Sequence, residues 1–243
     1  MNKQVNAQEK IGFVFINGAG LEKTIWHQLV SDLRHPYLLI DFPHRKGSDA
    51  LRKELSLADY VNHMKSQIEG WAIQRFVIVA HSLGGALAFK LASELQGRVV
   101  GFVAIGAIIP KNGGSFLSTL PFPKRLLMSM ILQKTGTKPP KSAILAGLCN
   151  DLSPEQSSRI VEGFVPESIR VYTDRIEAAA PAVLKLYVKL TKDKELSPSL
   201  QNKMILHFKP HSVQSLATGH LPMLSDPLGV KLLLQNFIEQ VEL

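Results

Sequence analysis

The residues best suited to chemistry are a serine and its small neighbours in the segment AHSLGG. Ser82 follows an apolar run, residues 76–80, of buried-strand length, and residues 86–92 after it favour a helix. A serine hydroxyl needs a base to remove its proton and must project clear of the backbone. A sharp strand-to-helix turn exposes it in this way, with small residues two positions before and after. Ala80 and Gly84 occupy those positions, so the sequence predicts a nucleophile, although a plain small-residue turn is the alternative.

The acid and base that would activate Ser82 are expected in loops after late strands, in the chain order Ser, Asp, His. Asp193 follows a late apolar run, and His220 lies in ATGHLPM, after the short run 212–216. Loops gather at the carboxyl edge of a parallel sheet, which would bring the three residues together. We therefore predict a triad of Ser82, Asp193 and His220, with Glu195 as a rival for the acid.

Two backbone N–H groups are also needed, to bind the negative oxygen of a tetrahedral intermediate. The residue after the nucleophile, Leu83, should supply one. The other is expected from the turn NGAG after the first strand, with Ala19 the preferred donor. His81 stands beside the serine, but adjacent residues at such a turn point apart, so we predict a packing role for it.

The elements that must position these residues alternate between strands and helices. Strands are predicted at 11–16, 37–40, 76–80, 99–105, in a run ending at Leu190, and at 212–216. Helices are predicted at 25–33, at 56–67, after the turn at Ser82, from Ser153, and at 228–241. This alternation, with strands apolar on both faces, predicts an α/β fold with a mostly parallel sheet covered by helices on both sides.

One long segment interrupts this alternation. Residues 110–180 are rich in Pro and Gly near their start and then apolar and basic by turns. Ser153, Pro154 and Gln156 there form the signature of a helix start with a capping box. We predict a core formed by residues 1–109 and 181–243, with residues 110–180 inserted as a helical cap.

Composition limits the remaining possibilities. The 243 residues are 45% hydrophobic and 20% charged, which is typical of one globular α/β domain. The net charge of +8 is scattered and not interleaved with aromatic residues, so no nucleic-acid partner is expected. Cys149 is the single cysteine, which fits a reducing, cytoplasmic compartment. No run of 18 apolar residues predicts a membrane span, and residues 1–20 lack the apolar stretch of a signal peptide.

Several stretches resemble a known family: FVFINGAG, IWHQL, AHSLGGALA, CNDLSPEQ, LTKDKELSP and ATGHLPMLSDP. They are similar to the α/β-hydrolase superfamily, and within it to small carboxylesterases grouped with plant methyl-ester hydrolases and hydroxynitrile lyases. The resemblance covers nearly the whole chain. It implies an esterase that uses a Ser–His–Asp triad without metal or organic cofactor, and a helical cap that shapes an apolar pocket.

The resemblance assigns the same roles to Ser82, His220, Asp193, Ala19 and Leu83. The chain departs from the family pattern at the turn after the first strand, where Asn replaces the usual His at position 17. It also has Ala at position 80, where the usual motif has Gly. The first departure puts the hydrogen bonds that support the turn in doubt.

Two further positions exclude one branch of the family. The lyase branch has Thr in the first turn and Lys directly after the catalytic His, whereas this chain has Gly18 and Leu221. Cyanohydrin cleavage is therefore not expected. The residues predicted to contact the substrate are Gly18, Phe116, Leu117, Phe122, Leu127, Met130 and Leu221. Packing of the cap helices on one another is the alternative for those in the cap.

The predicted activity is hydrolysis of a small-molecule carboxylic ester by a monomer or homodimer. Two other classes remain open at this point. The fold also serves receptors that bind a small molecule and turn it over slowly or not at all. The same triad can also serve an acyltransferase, an amidase or a lactonase.

Overall fold

The computed structural model describes residues 10–243, which surround a central sheet. Its strands, in chain order, are β1 (Ile11–Ile16), β2 (Tyr37–Leu39), β3 (Arg75–His81), β4 (Val99–Ile105), β5 (Leu184–Leu190) and β6 (Ser212–Leu216). The order across the sheet is β2-β1-β3-β4-β5-β6, and every neighbouring pair is parallel. The predicted parallel α/β architecture is confirmed.

Helices connect the strands and cover both faces of the sheet. They are α1 (His27–Val30), α2 (Asp49–Lys53), α3 (Leu57–Glu69), α4 (Gly84–Glu94), α5 (Phe116–Thr119), α6 (Phe122–Thr135), α7 (Lys141–Gly147), α8 (Pro154–Glu162), α9 (Arg170–Thr173), α10 (Pro198–Phe208), α11 (Pro222–Ser225) and α12 (Pro227–Glu242). A short 3₁₀ helix, Lys23–Trp26, precedes α1.

The core forms two apolar layers, one on each face of the sheet. Successive strand residues point to opposite faces, so in β1 Val14 and Ile16 join the layer under α3, α4 and α10. Phe13 and Phe15 join the layer under α1 and α12. This explains why the central strands are apolar at consecutive positions rather than at alternate ones.

The helix boundaries agree with the sequence signals where a cap is present. Ser56 accepts a hydrogen bond from the Asp59 N–H and Ser153 from the Gln156 N–H, so the predicted starts of α3 and α8 are confirmed. The helix predicted over residues 25–33 is wrong in its extent, because a 3₁₀ turn replaces its start and α1 ends at Val30. Helix α10 was not predicted, although Ser197 caps it and proline follows at its first position.

Residues 110–180 contain helices α5 to α9, and a bridge between Gly114 and Ile176 joins the two ends of the segment. Its later part contacts the loops at the carboxyl edge of the sheet. The Asn150 side chain donates to the Lys192 carbonyl at 3.0 Å, and the Val165 N–H donates to the Gly20 carbonyl at 3.0 Å. The segment therefore lies over the edge where the chemically interesting residues were expected.

Two predictions concern the start of the chain. Residues 1–9 of the predicted core, and that part of the stretch examined for a signal peptide, lie outside the described residues. Within residues 10–243, no helix combines the length and the hydropathy required to cross a membrane.

Candidate functional site

Ser82 lies at a sharp turn between β3 and α4. Its φ is +51°, in the left-handed region that non-glycine residues rarely adopt, and such strain concentrates at functional sites. Gly84 lets α4 start close to β1, because a Cβ at that position would lie 2.4 Å from the Asn17 carbonyl oxygen and 2.9 Å from that of Ile16. The backbone thus presents the Ser82 hydroxyl at the carboxyl edge of the sheet.

The structure brings the three predicted triad residues into one chain of hydrogen bonds. The Ser82 hydroxyl donates to His220 Nε2 at 3.0 Å, and His220 Nδ1 donates to Asp193 Oδ2 at 2.8 Å. The other carboxylate oxygen of Asp193 accepts from the backbone N–H groups of Glu195 and Leu196, at 2.8 and 2.9 Å. Asp193, rather than its rival Glu195, is therefore the carboxylate in contact with the imidazole.

The electrostatics of this pair favour a charged acid and a basic imidazole. Burial alone would lower the pKa of His220, but the hydrogen bond and negative charge of Asp193 outweigh it, so that pKa is raised. Burial would raise the pKa of Asp193, but its bond to His220 and the two backbone N–H groups lower it below its usual value. Near neutral pH the carboxylate is charged, and its effect on the pKa of His220 makes Nε2 of the unprotonated imidazole a stronger base toward the Ser82 hydroxyl.

His81 contacts both the backbone and the ring of His220. It is fully buried, its Nε2 donates to the His220 backbone carbonyl at 2.8 Å, and the two ring centroids are 4.7 Å apart. Burial, followed by the charge of His220, lowers the pKa of His81 to about 3. A neutral His81 can hold the backbone of the loop without competing as a base, in agreement with its predicted packing role.

Asp151, in the inserted segment 110–180, contacts the same loop. The Asp151 carboxylate accepts a hydrogen bond from the Gly219 N–H, directly before His220. Asp151 belongs to the quoted stretch CNDLSPEQ, but no role was predicted for it. Contacts from β3 and from the segment 110–180 therefore fix the position of His220 together.

The turn after β1 lies against the serine. A Cβ at Gly18 would be 2.8 Å from the Ser82 Cβ. The Asn17 side chain is buried and donates to the carbonyls of Leu21 and Gly18, at 2.5 and 3.3 Å. These bonds close the turn, which answers the doubt raised by the absence of the family's usual histidine.

The two predicted oxyanion donors are available in this arrangement. Across residues 10–243, no protein acceptor meets the backbone N–H of Ala19 or that of Leu83. The neighbouring Gly20 N–H, by contrast, donates to the Glu167 carboxylate at 3.0 Å. These two N–H groups belong to the residues that directly follow Gly18 and Ser82, which are in contact with each other.

Glu167 is a buried carboxylate that the sequence analysis missed. It accepts from the Gly20 N–H and the Arg45 guanidinium through Oε1, and from the Tyr60 hydroxyl through Oε2 at 2.9 Å. Its side chain is fully buried, and the Val165 N–H donates to the Gly20 carbonyl. Residues 165–167 thus hold both polar groups of Gly20. Because 147 positions separate Glu167 from Gly20, no sequence pattern could have linked them.

The residues predicted to contact the substrate are not gathered in one place. Gly18 lies against the serine, as described above. Leu117 and Leu221 are buried within the two apolar layers of the core. Phe116 is half-buried, and its ring makes an edge-to-face contact with Tyr172 at 5.1 Å. Of these four residues, Gly18 lies in contact with Ser82. The predicted substrate roles of Leu117, Leu221 and Phe116 stay predictions.

Phe122, Leu127 and Met130 lie on α6, and all three are exposed to solvent. Phe122 lines a surface groove together with Gly114, and Ser82 does not line that groove. The predicted substrate contacts of these three residues stay predictions as well. In the described part of the chain, no three His, Cys, Asp or Glu side chains are grouped in a way that could bind a metal ion.

Comparison with known proteins places this arrangement in a family. The sequence profile described as the alpha/beta hydrolase family matches residues 13–230. Methyl jasmonate esterase 1 of Vitis vinifera is 26% identical, over 93% of this chain and 96% of that protein. An uncharacterized protein of Mycobacterium tuberculosis is 30% identical over 96 residues, and the match spans 39% of this chain and 28% of that protein's length.

A solved structure agrees over almost the whole chain. An extracellular alpha/beta-hydrolase from a Paenibacillus species, which shares structural and functional homology with tobacco salicylic acid binding protein 2, gives a TM-score of 0.83 at 16% identity. The superposition covers 93% of this chain and 98% of that one. These matches confirm the predicted resemblance and the predicted fold class. The chain belongs to the alpha/beta hydrolase family.

Proposed function

We propose that this protein is a serine hydrolase that cleaves small carboxylic esters through an acyl-enzyme. The observation that carries the proposal is the continuous hydrogen-bond chain from Ser82 through His220 to the buried Asp193. It starts at a strained turn and lies beside two unpaired backbone N–H groups. A nucleophile, a base, a group that orients the base, and oxyanion donors are the parts that acyl transfer requires.

In the proposed mechanism, Ser82 Oγ attacks the ester carbonyl carbon while His220 Nε2 takes the hydroxyl proton. The N–H groups of Ala19 and Leu83 bind the oxygen that becomes negative. When the intermediate collapses, the bond from the carbonyl carbon to the alkoxy oxygen breaks, and His220 returns its proton to the leaving alcohol. A water then attacks the acyl-enzyme with His220 as base, which releases the acid and restores Ser82. Asp193 keeps Nδ1 protonated and stabilises the imidazolium in both halves.

The substrate class is the least constrained part of the proposal. The relative named methyl jasmonate esterase 1, similar over most of the chain, supports methyl esters of small organic acids as the first compounds to test. Acyltransferase, amidase and lactonase activities use the same groups, so they are outcomes of the test and not separate proposals. The same holds for a receptor that only binds.

The test is turnover of a series of methyl and p-nitrophenyl esters, from acetyl to octanoyl, by wild type, Ser82→Ala and His220→Ala. Ser66→Ala, at an exposed serine of α3, is the matched control. We expect both triad variants to lose about 10⁴-fold to 10⁶-fold in kcat. The control should keep the wild-type rate.

A fluorophosphonate probe separates the nucleophile from the substrate class. Covalent labelling of wild type but not of Ser82→Ala, without turnover of any ester, would retain the serine nucleophile and reject ester hydrolysis. Lactones, amides and alternative acyl acceptors would then be assayed. If neither labelling nor turnover occurs, the hydrolase proposal fails and a binding function replaces it.

A further inference from the structure

Helix α6 turns an apolar face to solvent. Of its fourteen residues, only Leu132 is buried. Contiguous apolar surface on an otherwise ordinary protein marks an interaction site. The exposed large side chains on one side of the helix are Phe122 at 69%, Leu126 at 54%, Leu127 at 55%, Met130 at 44% and Ile131 at 42%.

The five exposed side chains lie on one half of the helix. Phe122, Leu126 and Met130 are four residues apart and form one stripe, and Leu127 and Ile131 form the next. At about 100° per residue, the two stripes together span roughly half of the helix circumference. The buried Leu132 lies on the opposite half, which packs against the protein. The exposed half is therefore an apolar ridge, and its residues Phe122 and Leu126 also line one wall of a surface groove.

The surroundings of α6 are mainly basic: Arg175 lines a groove with Phe122 and Leu126, and Lys53 and one acidic residue, Asp49, line the cavity beside Lys134. Residues 110–150 contain six basic residues and no Asp or Glu, whereas all six acidic residues of the segment 110–180 follow from position 151 onward. Lys124 and Lys134 lie near the two ends of α6, and both are exposed. The six basic residues are Lys111, Lys124, Arg125, Lys134, Lys138 and Lys141.

We propose that α6 docks the protein onto an anionic lipid surface, with its axis in the plane of the interface. The apolar ridge would enter the boundary between headgroups and acyl chains, and the lysines would extend to the phosphates. At about 1.5 Å per residue the helix is about 21 Å long, which is too short to span a bilayer.

Charge argues against a second copy of the chain as the occupant. A two-fold symmetric dimer through α6 would bring the same surface of both copies together. It would then place the basic residues of one copy opposite those of the other, with no acidic residue from 110–150 to neutralise them. An anionic bilayer supplies the opposite charge and strengthens binding by about fivefold for each basic residue near its surface.

The test is flotation of the full chain with vesicles of phosphatidylcholine, with and without about 30% phosphatidylglycerol, at about 0.1 M salt. We expect wild type to bind the anionic vesicles at least about tenfold more tightly than the neutral ones. The double variant L127D/I131D should lose at least about tenfold in this binding. The control Leu206→Asp changes a more exposed leucine on α10, at 74%, and should bind as wild type does. Circular dichroism melts would confirm that both variants fold.

Three results would overturn the proposal. The first is failure of wild type to float with anionic vesicles. The second is equal loss of binding in L127D/I131D and in Leu206→Asp. The third is unchanged vesicle binding in the double variant together with some other effect. A change only from dimer to monomer would make α6 a dimer interface, and a change only in KM for a soluble ester would make it a wall of the substrate pocket. Vesicle binding does not depend on the proposed esterase activity, so the two proposals can fail separately.

Discussion

Replacing Glu167 tests whether the segment 110–180 supports the turn that is proposed to supply an oxyanion donor. The Gly20 N–H, which Glu167 holds, belongs to the peptide plane that starts at Ala19. The orientation of that plane fixes ψ of Ala19 and so limits where the Ala19 N–H can point. Loss of the carboxylate would release the plane and also leave Arg45 and Tyr60 without their buried acceptor.

The expected loss of stability is large. Removing one partner of a buried ion pair costs about 3–5 kcal/mol, and each further buried polar group left unpaired costs about 1–3 kcal/mol. The Arg45 side chain is 7% exposed and that of Glu167 0%, so water cannot replace the lost acceptor without local opening. Because these costs overlap, we expect Glu167→Ala to lower the free energy of unfolding by about 4 kcal/mol. Glu167→Gln keeps an acceptor oxygen and should lose about 1–3 kcal/mol.

Urea unfolding and steady-state kinetics measure the two effects. Glu177→Ala, at an exposed glutamate of the same segment, should stay within about 0.5 kcal/mol of wild type. In Glu167→Gln, assayed well below its melting temperature, we expect kcat for the best ester to fall about tenfold with little change in KM, since the effect falls on an oxyanion donor. A stability of Glu167→Ala within 1 kcal/mol of wild type, or kcat unchanged in Glu167→Gln, would refute this reasoning.

Two further predictions follow from the site. The raised pKa of His220 means that kcat/KM should fall as the pH drops through a value above about 6.5, where the base becomes protonated. In Asp193→Asn this acidic limb should move to lower pH and the rate should fall about 10⁴-fold; an unmoved limb in a pH–rate profile would argue against the pair. Gly84→Ala should destabilise the chain by about 1–3 kcal/mol and lower kcat, because the methyl group would press on the Asn17 carbonyl. Thermal unfolding beside Gly70→Ala isolates the effect of the lost space, because the backbone of Gly70 is right-handed and a Cβ there meets only ordinary contacts at 3.7 Å; equal losses in the two variants would contradict the packing argument.

The sequence alone determined the features that depend on short stretches of chain. Strand β3, the turn at Ser82 and the start of α4 follow from an apolar run, two glycines and helix-forming residues that are neighbours in sequence. The order Ser82, Asp193, His220 was also visible, because a parallel sheet places the loop after each strand at the same edge. The capping boxes of α3 and α8 were readable for the same local reason.

The sequence showed where the apolar residues of α6 lie along the chain, but not which way their side chains point. Phe122, Leu127 and Met130 were predicted to contact substrate because they are apolar and lie in the inserted segment. Apolar residues cover most of α6, so their period did not show which side faces the protein. In the structure Leu132 is buried and these three side chains are exposed, and their substrate contacts stay predictions. The uneven distribution of charge along residues 110–180 was also not evident from their composition. Nine basic and six acidic residues nearly balance over the whole segment, although the acidic ones all follow residue 150.

Only the tertiary structure showed which residues hold the site in place. The contacts of His81 with the His220 carbonyl, of Asp151 with the Gly219 N–H, and of Glu167 with the Gly20 N–H each join residues at least 68 positions apart. A single polar side chain has no sequence period that identifies its partner, and its energy comes from burial that exists only after the chain has folded. Short-range patterns therefore predicted the residues that the hydrogen-bond chain joins, and long-range packing decided how they are supported.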